Sequence, residues 1–286
     1  MIIAINYADD RFATAQKFNS KTAYKYGADR VIEYSKEDID ADFYDKNKDI
    51  LDEERGGGFW LWKSYIIHDA LCKADYGDYV IYTDSGAAFV DRIDNLISCM
   101  ERDSTDIMLF SLSNPERKYT KRDTFVLMDC DSADYADSNQ RLAGYELYKK
   151  TDHAMKFVAE WLGYAQDRRI ITDDPNVMGK SNYDGFVDHR HDQSVLSLLS
   201  KKWGIEVYRD PSQDGLSDDY KKTVSKEILD RSTYPQIIDI HRNPNLKYVY
   251  QLSYKKWYKW LDIHRNPVLS ILKRAIGKIQ RELRLQ

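Results

Sequence analysis

The sequence predicts an α/β fold with a mixed, mainly parallel central sheet, followed by a basic amphipathic helix at the carboxyl end. Three observations predict it. Short apolar runs of strand length alternate with segments whose apolar residues recur every three or four positions, the pattern of strands joined by helical crossovers. The 286 residues, 42% hydrophobic and 31% charged, are enough for a large core under a charged surface. The charge is also divided: residues 247–286 hold 10 Lys and Arg against 2 Asp and Glu, while the rest of the chain holds 33 against 45.

Each element is taken in order. Residues 1–5, Met-Ile-Ile-Ala-Ile, read as a first buried strand. They are too short and lack the basic flank for a signal peptide. Residues 12–24 suit a helix and Arg30–Tyr34 a second strand. A polar stretch with Phe43 and Tyr44 leads to a glycine-rich run, Arg55-Gly56-Gly57-Gly58-Phe59-Trp60-Leu61-Trp62-Lys63, and then a helix over about 63–74. Residues 78–83 form a strand that ends at Asp84-Ser85-Gly86, and 93–100 a short helix. Strands are expected at 107–111, 143–148 and 205–208, with helices at 152–165 and 191–201. Residues 172–190 read as a long loop.

Composition excludes some classes. No run of about 18 apolar residues is present, so no helix is expected to span a bilayer. The cysteines Cys72, Cys99 and Cys130 form no CxxC pair, which argues against a disulfide framework and a zinc site and suits a reducing cytoplasm. The acidic body disfavours nucleic acid as a partner. The 22 tyrosines suit sugar or base stacking and suit core packing equally.

Five motifs could carry chemistry. Asp84, just past a strand end, lies where α/β sheets place ligand groups, and could hold Mg²⁺ or Mn²⁺ against a diphosphate. Gly86 would allow close backbone approach. The competing use of Asp84 is a turn cap. The run 55–63 could cradle phosphate between Arg55 and Lys63, with Trp60 and Trp62 stacking on a base or sugar, or its aromatics could fill the core. In His189-Arg190-His191-Asp192-Gln193, Asp192 at a helix start could act as general base or as a helix cap. His241, after Ile237-Ile238, could complete a metal shell or be structural. Lys121 and Arg122 form a basic cluster that could meet phosphate or an acidic acceptor, or be a solvated turn. His241 and His264 also sit in a repeated hexapeptide, Asp-Ile-His-Arg-Asn-Pro.

Taken in order, these segments resemble bacterial GT-A (Rossmann-like) glycosyltransferases of capsule and O-antigen gene clusters. The resemblance is carried by the 55–63 run, Tyr82-Thr83-Asp84-Ser85-Gly86, Lys121-Arg122-Asp123, Ala143-Gly144, Glu160-Trp161 and His191-Asp192-Gln193-Ser194, over roughly residues 1–245. Gly86 stands where a full DxD motif has its second acid. The resemblance implies a GT-A catalytic domain over 1–245, with a nucleotide-sugar half (1–112) and an acceptor half (113–245). It implies a UDP-hexose donor held by Asn6, Tyr7, Arg55, Gly57, Trp60, Trp62, Lys63, Asp84, Ser85 and Gly86. It implies an acceptor near Lys121, Arg122, Ala143, Gly144, His189, His191 and Gln193, Asp192 at the reacting carbon, and a Mn²⁺ or Mg²⁺ ion on Asp84 and His241. Inversion and retention both remain open, with a carboxylate base the simpler use of Asp192.

The tail, 246–286, is expected to lie on an anionic membrane. Val268, Leu269, Leu272, Ala275, Ile276, Ile279 and Leu283 share one face opposite Lys273, Arg274, Lys278, Arg281 and Arg284. That pattern suits a peripheral enzyme at the inner face of the plasma membrane, with a lipid-linked saccharide acceptor. The other use of that face is packing on the catalytic domain or on a second subunit of a homodimer. Two other functions compete. One is a non-catalytic nucleotide-sugar or carbohydrate-binding module. The other is a nucleotidyltransferase, disfavoured because Asn6-Tyr7-Ala8-Asp9-Asp10 after the first strand lacks glycine.

Overall fold

Alternation at β1, Ile2–Tyr7, sets the layering. Ile3 and Ile5 face one side of the sheet and Ala4 the other, all at most 1% exposed. The computed structural model describes residues 1–244, which form one unit; the tail helix expected over 246–286 lies outside the described residues. β1 pairs in parallel with β2 (Arg30–Tyr34) and with β3 (Tyr79–Thr83). β4 is Ala87–Phe89, β5 Ile107–Pro115, β6 Asn139–Lys149, β7 Val207–Arg209 and β8 Ile238–Ile240. The main sheet runs β2-β1-β3-β6-β5-β7, and β4 with β8 makes a separate antiparallel ribbon. β6 is antiparallel to both β3 and β5, so the sheet is mixed, as expected. β5 crosses residue 112 and ties the expected halves into one sheet.

Helices cover both faces. On one face lie α2 (Leu61–Lys73), α4 (Asp152–Ala165) and α5 (His191–Lys202), over Ile3, Ile5, Val80, Tyr82 and Leu109. On the other, α1 (Ala13–Lys25) and α3 (Asp94–Arg102) join the small ribbon over Ala4, Ile81, Phe110 and Leu147. α4 starts where the Thr151 side chain accepts from the Ala154 amide, a sound cap. Its Ala154, Phe157, Val158 and Trp161 are fully buried; the face expected from the spacing, Met155, Val158, Ala159 and Leu162, shares only Val158 with it, and Ala159 is exposed. A short helix near the end of the described residues, α6 (Lys226–Arg231), leads towards the small ribbon. No described helix is long and apolar enough to cross a membrane.

The glycine run is a left-handed turn. Gly56, Gly57, Gly58, Phe59 and Trp60 all have positive φ, between 50° and 95°. A Cβ on Gly56 would meet the Trp60 ring at 2.3 Å, and one on Gly58 the Leu51 Cα at 2.7 Å, so only glycine fits at either place. The turn points α2 back under the sheet. This decides where Lys63 emerges.

Candidate active site

The carboxyl ends of parallel strands are where this kind of sheet opens to ligands. β1 ends at Tyr7 and β3 at Thr83, next to Asp84. Because β6 is antiparallel, its middle rather than its end lies there: Thr83 pairs with Tyr145, and the Asp84 amide donates to the Gly144 carbonyl at 2.8 Å. A Cβ on Gly144 would sit 3.4 Å from Asp84 Oδ2, so this glycine leaves the carboxylate its room.

Lys63, in the first turn of α2, occupies the middle of this floor. Its side chain is 5% exposed. Nζ lies 2.7 Å from Asp192 Oδ2 and 3.6 Å from Asp84 Oδ1, and donates to the Ala143 carbonyl at 2.7 Å. Asp192 is 6% exposed and Asp84 51% exposed, so the cluster has a closed inner end and an open outer one. Tyr82, buried beneath, donates its hydroxyl to Asp84 Oδ1 at 2.6 Å. Burial opposes the Lys63 charge, but Asp192, Asp84 and Glu146 outweigh it and its pKa rises. Burial likewise pushes Asp192 up, against the pull of Lys63, to about 6.

Glu146 is a site residue that the sequence motifs do not single out. It is fully buried on β6, opposite Tyr82, and accepts from the Tyr148 hydroxyl at 2.7 Å. Burial pushes its pKa to about 8 against the attraction of Lys63, and its Oε1 has no hydrogen-bond partner. A carboxyl in that state keeps its proton at neutral pH. Asp84 and Asp192 then share the one Lys63 ammonium. The one signal for Glu146 is a lone acid inside the aromatic strand Tyr145-Glu146-Leu147-Tyr148.

The other expected site residues fall into three groups. Around the cluster are Ala143, Gly144 and Gln193, whose Oε1 accepts from the Ala143 amide at 3.3 Å and whose Nε2 donates to Gln140 at 2.8 Å. Also at the strand ends are Tyr7, stacked on Trp62 with ring centroids 3.8 Å apart, and Ser85, which donates to the Tyr7 carbonyl at 2.6 Å. Trp62 Nε1 donates to the Gly56 carbonyl at 2.9 Å and Trp60 stacks on His191, so both indoles brace the turn. Asn6 points inward, donating to Asn19 and Ser20 on α1.

The second group bonds within the protein further out. His189 accepts from the Lys121 amide at 3.2 Å and donates from Nε2 to the Ile170 carbonyl, and burial drives its pKa well down. His191 Nδ1 meets the Ile171 carbonyl at 2.9 Å. Lys121 Nζ donates to the Asp174 carbonyl. Arg122 pairs with Asp131 at 2.7 Å and lies over Tyr183. Arg55 bridges Asp173 and Asp188, clamping the 172–190 loop.

The third group needs correction. The amides of Gly57, Gly58, Phe59 and Trp60 donate to the carbonyls of Glu54, Glu53, Arg55 and Gly56. They are spent inside the turn, and the run does not present them as a phosphate cradle. The backbone that approaches Gly86 belongs to Arg242: a Cβ there would meet Arg242 Cα at 3.2 Å, and the amides of His241 and Arg242 both donate to its carbonyl. Asp192 is not the cap of α5; the cap position is Arg190, without a side-chain bond.

A resident cation fits poorly. Among the described residues no three His, Cys, Asp or Glu side chains converge as a metal-binding set. His241 Nδ1 accepts from the Asn243 amide at 3.0 Å, and burial lowers its pKa to about 4. Of Asp84, Asp192 and Glu146, Asp84 alone is open to solvent. The described residues by themselves do not supply the shell of a bound Mn²⁺ or Mg²⁺.

The arrangement is a lysine-centred acidic cluster at the strand ends of a mixed α/β sheet, buried at Asp192 and open to solvent at Asp84. No protein-family model matches the chain, and no curated protein matches it. Similar solved structures include a galactosyltransferase, LgtC, in complex with donor and acceptor sugar analogues (14% identity, 88% of this chain and 94% of that chain, TM-score 0.48). Others are mouse xyloside xylosyltransferase 1 in its apo form (9% identity, 84% and 96%, TM-score 0.42) and a glycosyltransferase involved in glycosylating the major capsid of PBCV-1 (10% identity, 84% and 92%, TM-score 0.44). Identities of 9% to 14% carry no residue-by-residue correspondence, and residue roles rest on the site itself.

Proposed function

We propose that the chain is a glycosyltransferase that moves a hexose from a nucleotide-sugar donor, a UDP-sugar, to a saccharide acceptor. The observation that carries this reading is Lys63 held between buried Asp192 and exposed Asp84 at the strand ends. In this reading the acceptor hydroxyl gives its proton to Asp192 as its oxygen bonds the anomeric carbon. The bond from that carbon to the diphosphate breaks, and its electron pair leaves with the diphosphate. A carboxyl with a pKa of about 6 is mostly ionised at neutral pH and is still a useful base. This favours inversion. In a retaining reaction Asp192 and Gln193 would instead line the reacting face of the sugar.

The acceptor is proposed to be lipid-linked, in surface polysaccharide synthesis, with the basic tail holding the enzyme on the cytoplasmic leaflet. Each basic residue near an anionic surface is worth about 1 kcal/mol. Sedimentation with anionic vesicles at low salt should carry down the full chain and not one lacking residues 266–286; equal sedimentation of both would refute the anchor.

The competing reading, a sugar-nucleotide-binding module without catalysis, predicts binding without turnover. A screen of UDP- and GDP-sugars for thermal stabilisation and for nucleotide release, with and without Mn²⁺, separates the two. Stabilisation and release by at least one UDP-sugar is expected; stabilisation alone would favour the binding module.

A further inference from the structure

A cavity lies at the other end of α5 from the glycine turn, between the β6–β7 region and α6. Its volume is about 330 Å³, at the small end of the roughly 300–1,000 Å³ typical of small-molecule sites. Three cations line it, Arg141 from β6, Lys201 from the last turn of α5 and Arg231 at the end of α6, against two acids, Glu206 and Glu227. Ile205, Val207 and Ile228 give it an apolar wall.

The cations are not equivalent. Lys201 is bonded to the fully buried Glu116 at 2.7 Å, and Arg231 is paired with Glu206. These two carboxylates are the acidic groups that act on Arg141, and each is already taken by another cation. Among the described residues Arg141 itself has no ion pair, and its buried Nε has no hydrogen-bond partner. A partly buried guanidinium without an ion pair of its own is costly, and its planar fork suits a carboxylate or phosphate held by two bonds. Nothing in the transfer reaction uses it.

We infer that this cavity is a second ligand site, which takes a compact organic oxyanion. The anionic group bonds Arg141, with Lys201 and Arg231 nearby, and the body of the molecule lies on the wall of Ile205, Val207 and Ile228. The apolar wall favours a molecule with a carbon skeleton, such as a sugar acid or a sugar phosphate, over a bare inorganic ion. The site stands independently of the transferase reading.

Calorimetric titration of the full-length chain tests it, with glucuronate, glucose 6-phosphate, inorganic phosphate and glucose as probes. Saturable binding of glucuronate or glucose 6-phosphate is expected, whichever binds naming the anionic group, with glucose giving none. Arg141→Met should weaken that binding at least tenfold, and Ile228→Trp, which fills the cavity from a surface helix and leaves Arg141 in place, should do the same. The Ile228→Trp result decides the matter if Arg141→Met does not fold. Absence of binding by either organic anion, phosphate binding as tightly as both, or wild-type binding in the variants would overturn the site.

Discussion

Lys63 Nζ and Asp192 Oδ2 meet at 2.7 Å with both side chains about 95% removed from solvent, one from the start of α2 and the other from the start of α5. The pair joins the left-handed glycine turn to the end of the long 172–190 loop. Desolvating both charges is expensive, and their attraction offsets this only while both are present. The pair is therefore better suited to holding geometry than to adding net stability.

Lys63→Met should accordingly destabilise the fold by about 3–5 kcal/mol, the usual cost of leaving one member of a buried pair uncompensated. Urea denaturation measures it. The double variant Lys63→Met with Asp192→Leu should recover much of the loss. If the single variant is as stable as the wild type, the pair is not buried as described.

Asp84→Asn should fold with near wild-type stability, because the side chain is half exposed, and lose nearly all transfer. Asp84 draws the Lys63 ammonium toward the open end of the cluster, where it can meet the charge that develops on a leaving diphosphate, and asparagine would leave that ammonium to Asp192 alone. Product release assays and a melting curve read both halves. Near wild-type turnover would remove Asp84 from the mechanism.

Glu146→Gln addresses pH. The folded-state pKa of Glu146 is about 8 against an ordinary 4.5, so between these values the folded chain binds more protons than the unfolded one. Its contribution to stability is thus full below about 4.5 and falls as pH rises towards 8. The variant should be no less stable at pH 8 and should flatten the stability profile across that window. Asp192, raised from 3.8 to about 6, acts with the same sign over its narrower range. A denaturation series from about pH 4 to 9 checks the slope; an unchanged slope in the variant would show that Glu146 is ionised throughout.

The fold is legible in the sequence where the pattern is long. β1, β2 and β3 stand out as short strand-like runs between polar segments, and α4 by its helical spacing, although its buried face is Ala154, Phe157, Val158 and Trp161 and not the Met155, Val158, Ala159 and Leu162 that the spacing suggests. Of the small ribbon, β8 shows as the apolar pair Ile237-Ile238 but β4 does not, because a three-residue strand carries too little alternation to register; together they bring His241 against Gly86. The antiparallel course of β6 is hidden as well. A strand's direction depends on the connection that precedes it, and residues 116–138 fold only into short helical turns. Asp84, Lys63 and Asp192 belong to separate motifs. That one lysine joins the two acids is a tertiary fact with no trace in spacing, because 21 and 129 residues separate Lys63 from its partners (84 − 63 and 192 − 63). Gly57 and the indoles of Trp60 and Trp62 look like ligand-binding groups because glycine and tryptophan serve ligands and tight turns alike.

The central claim, that Asp192 is the base of a sugar transfer, is tested most directly by Asp192→Asn. Asparagine keeps the size of the side chain and removes the ability to take a proton. Single-turnover nucleotide release should be measured beside donor affinity, using the UDP-sugar that stabilises the wild type. The expected result is donor binding within a few-fold of wild type and release slowed by about 10²-fold or more, the usual scale for a lost general base. The wild-type rate should also fall on the acid side with an apparent pKa of about 6. Unchanged release would contradict the assignment, and a loss of stability without a loss of release would leave Asp192 as the structural partner of Lys63.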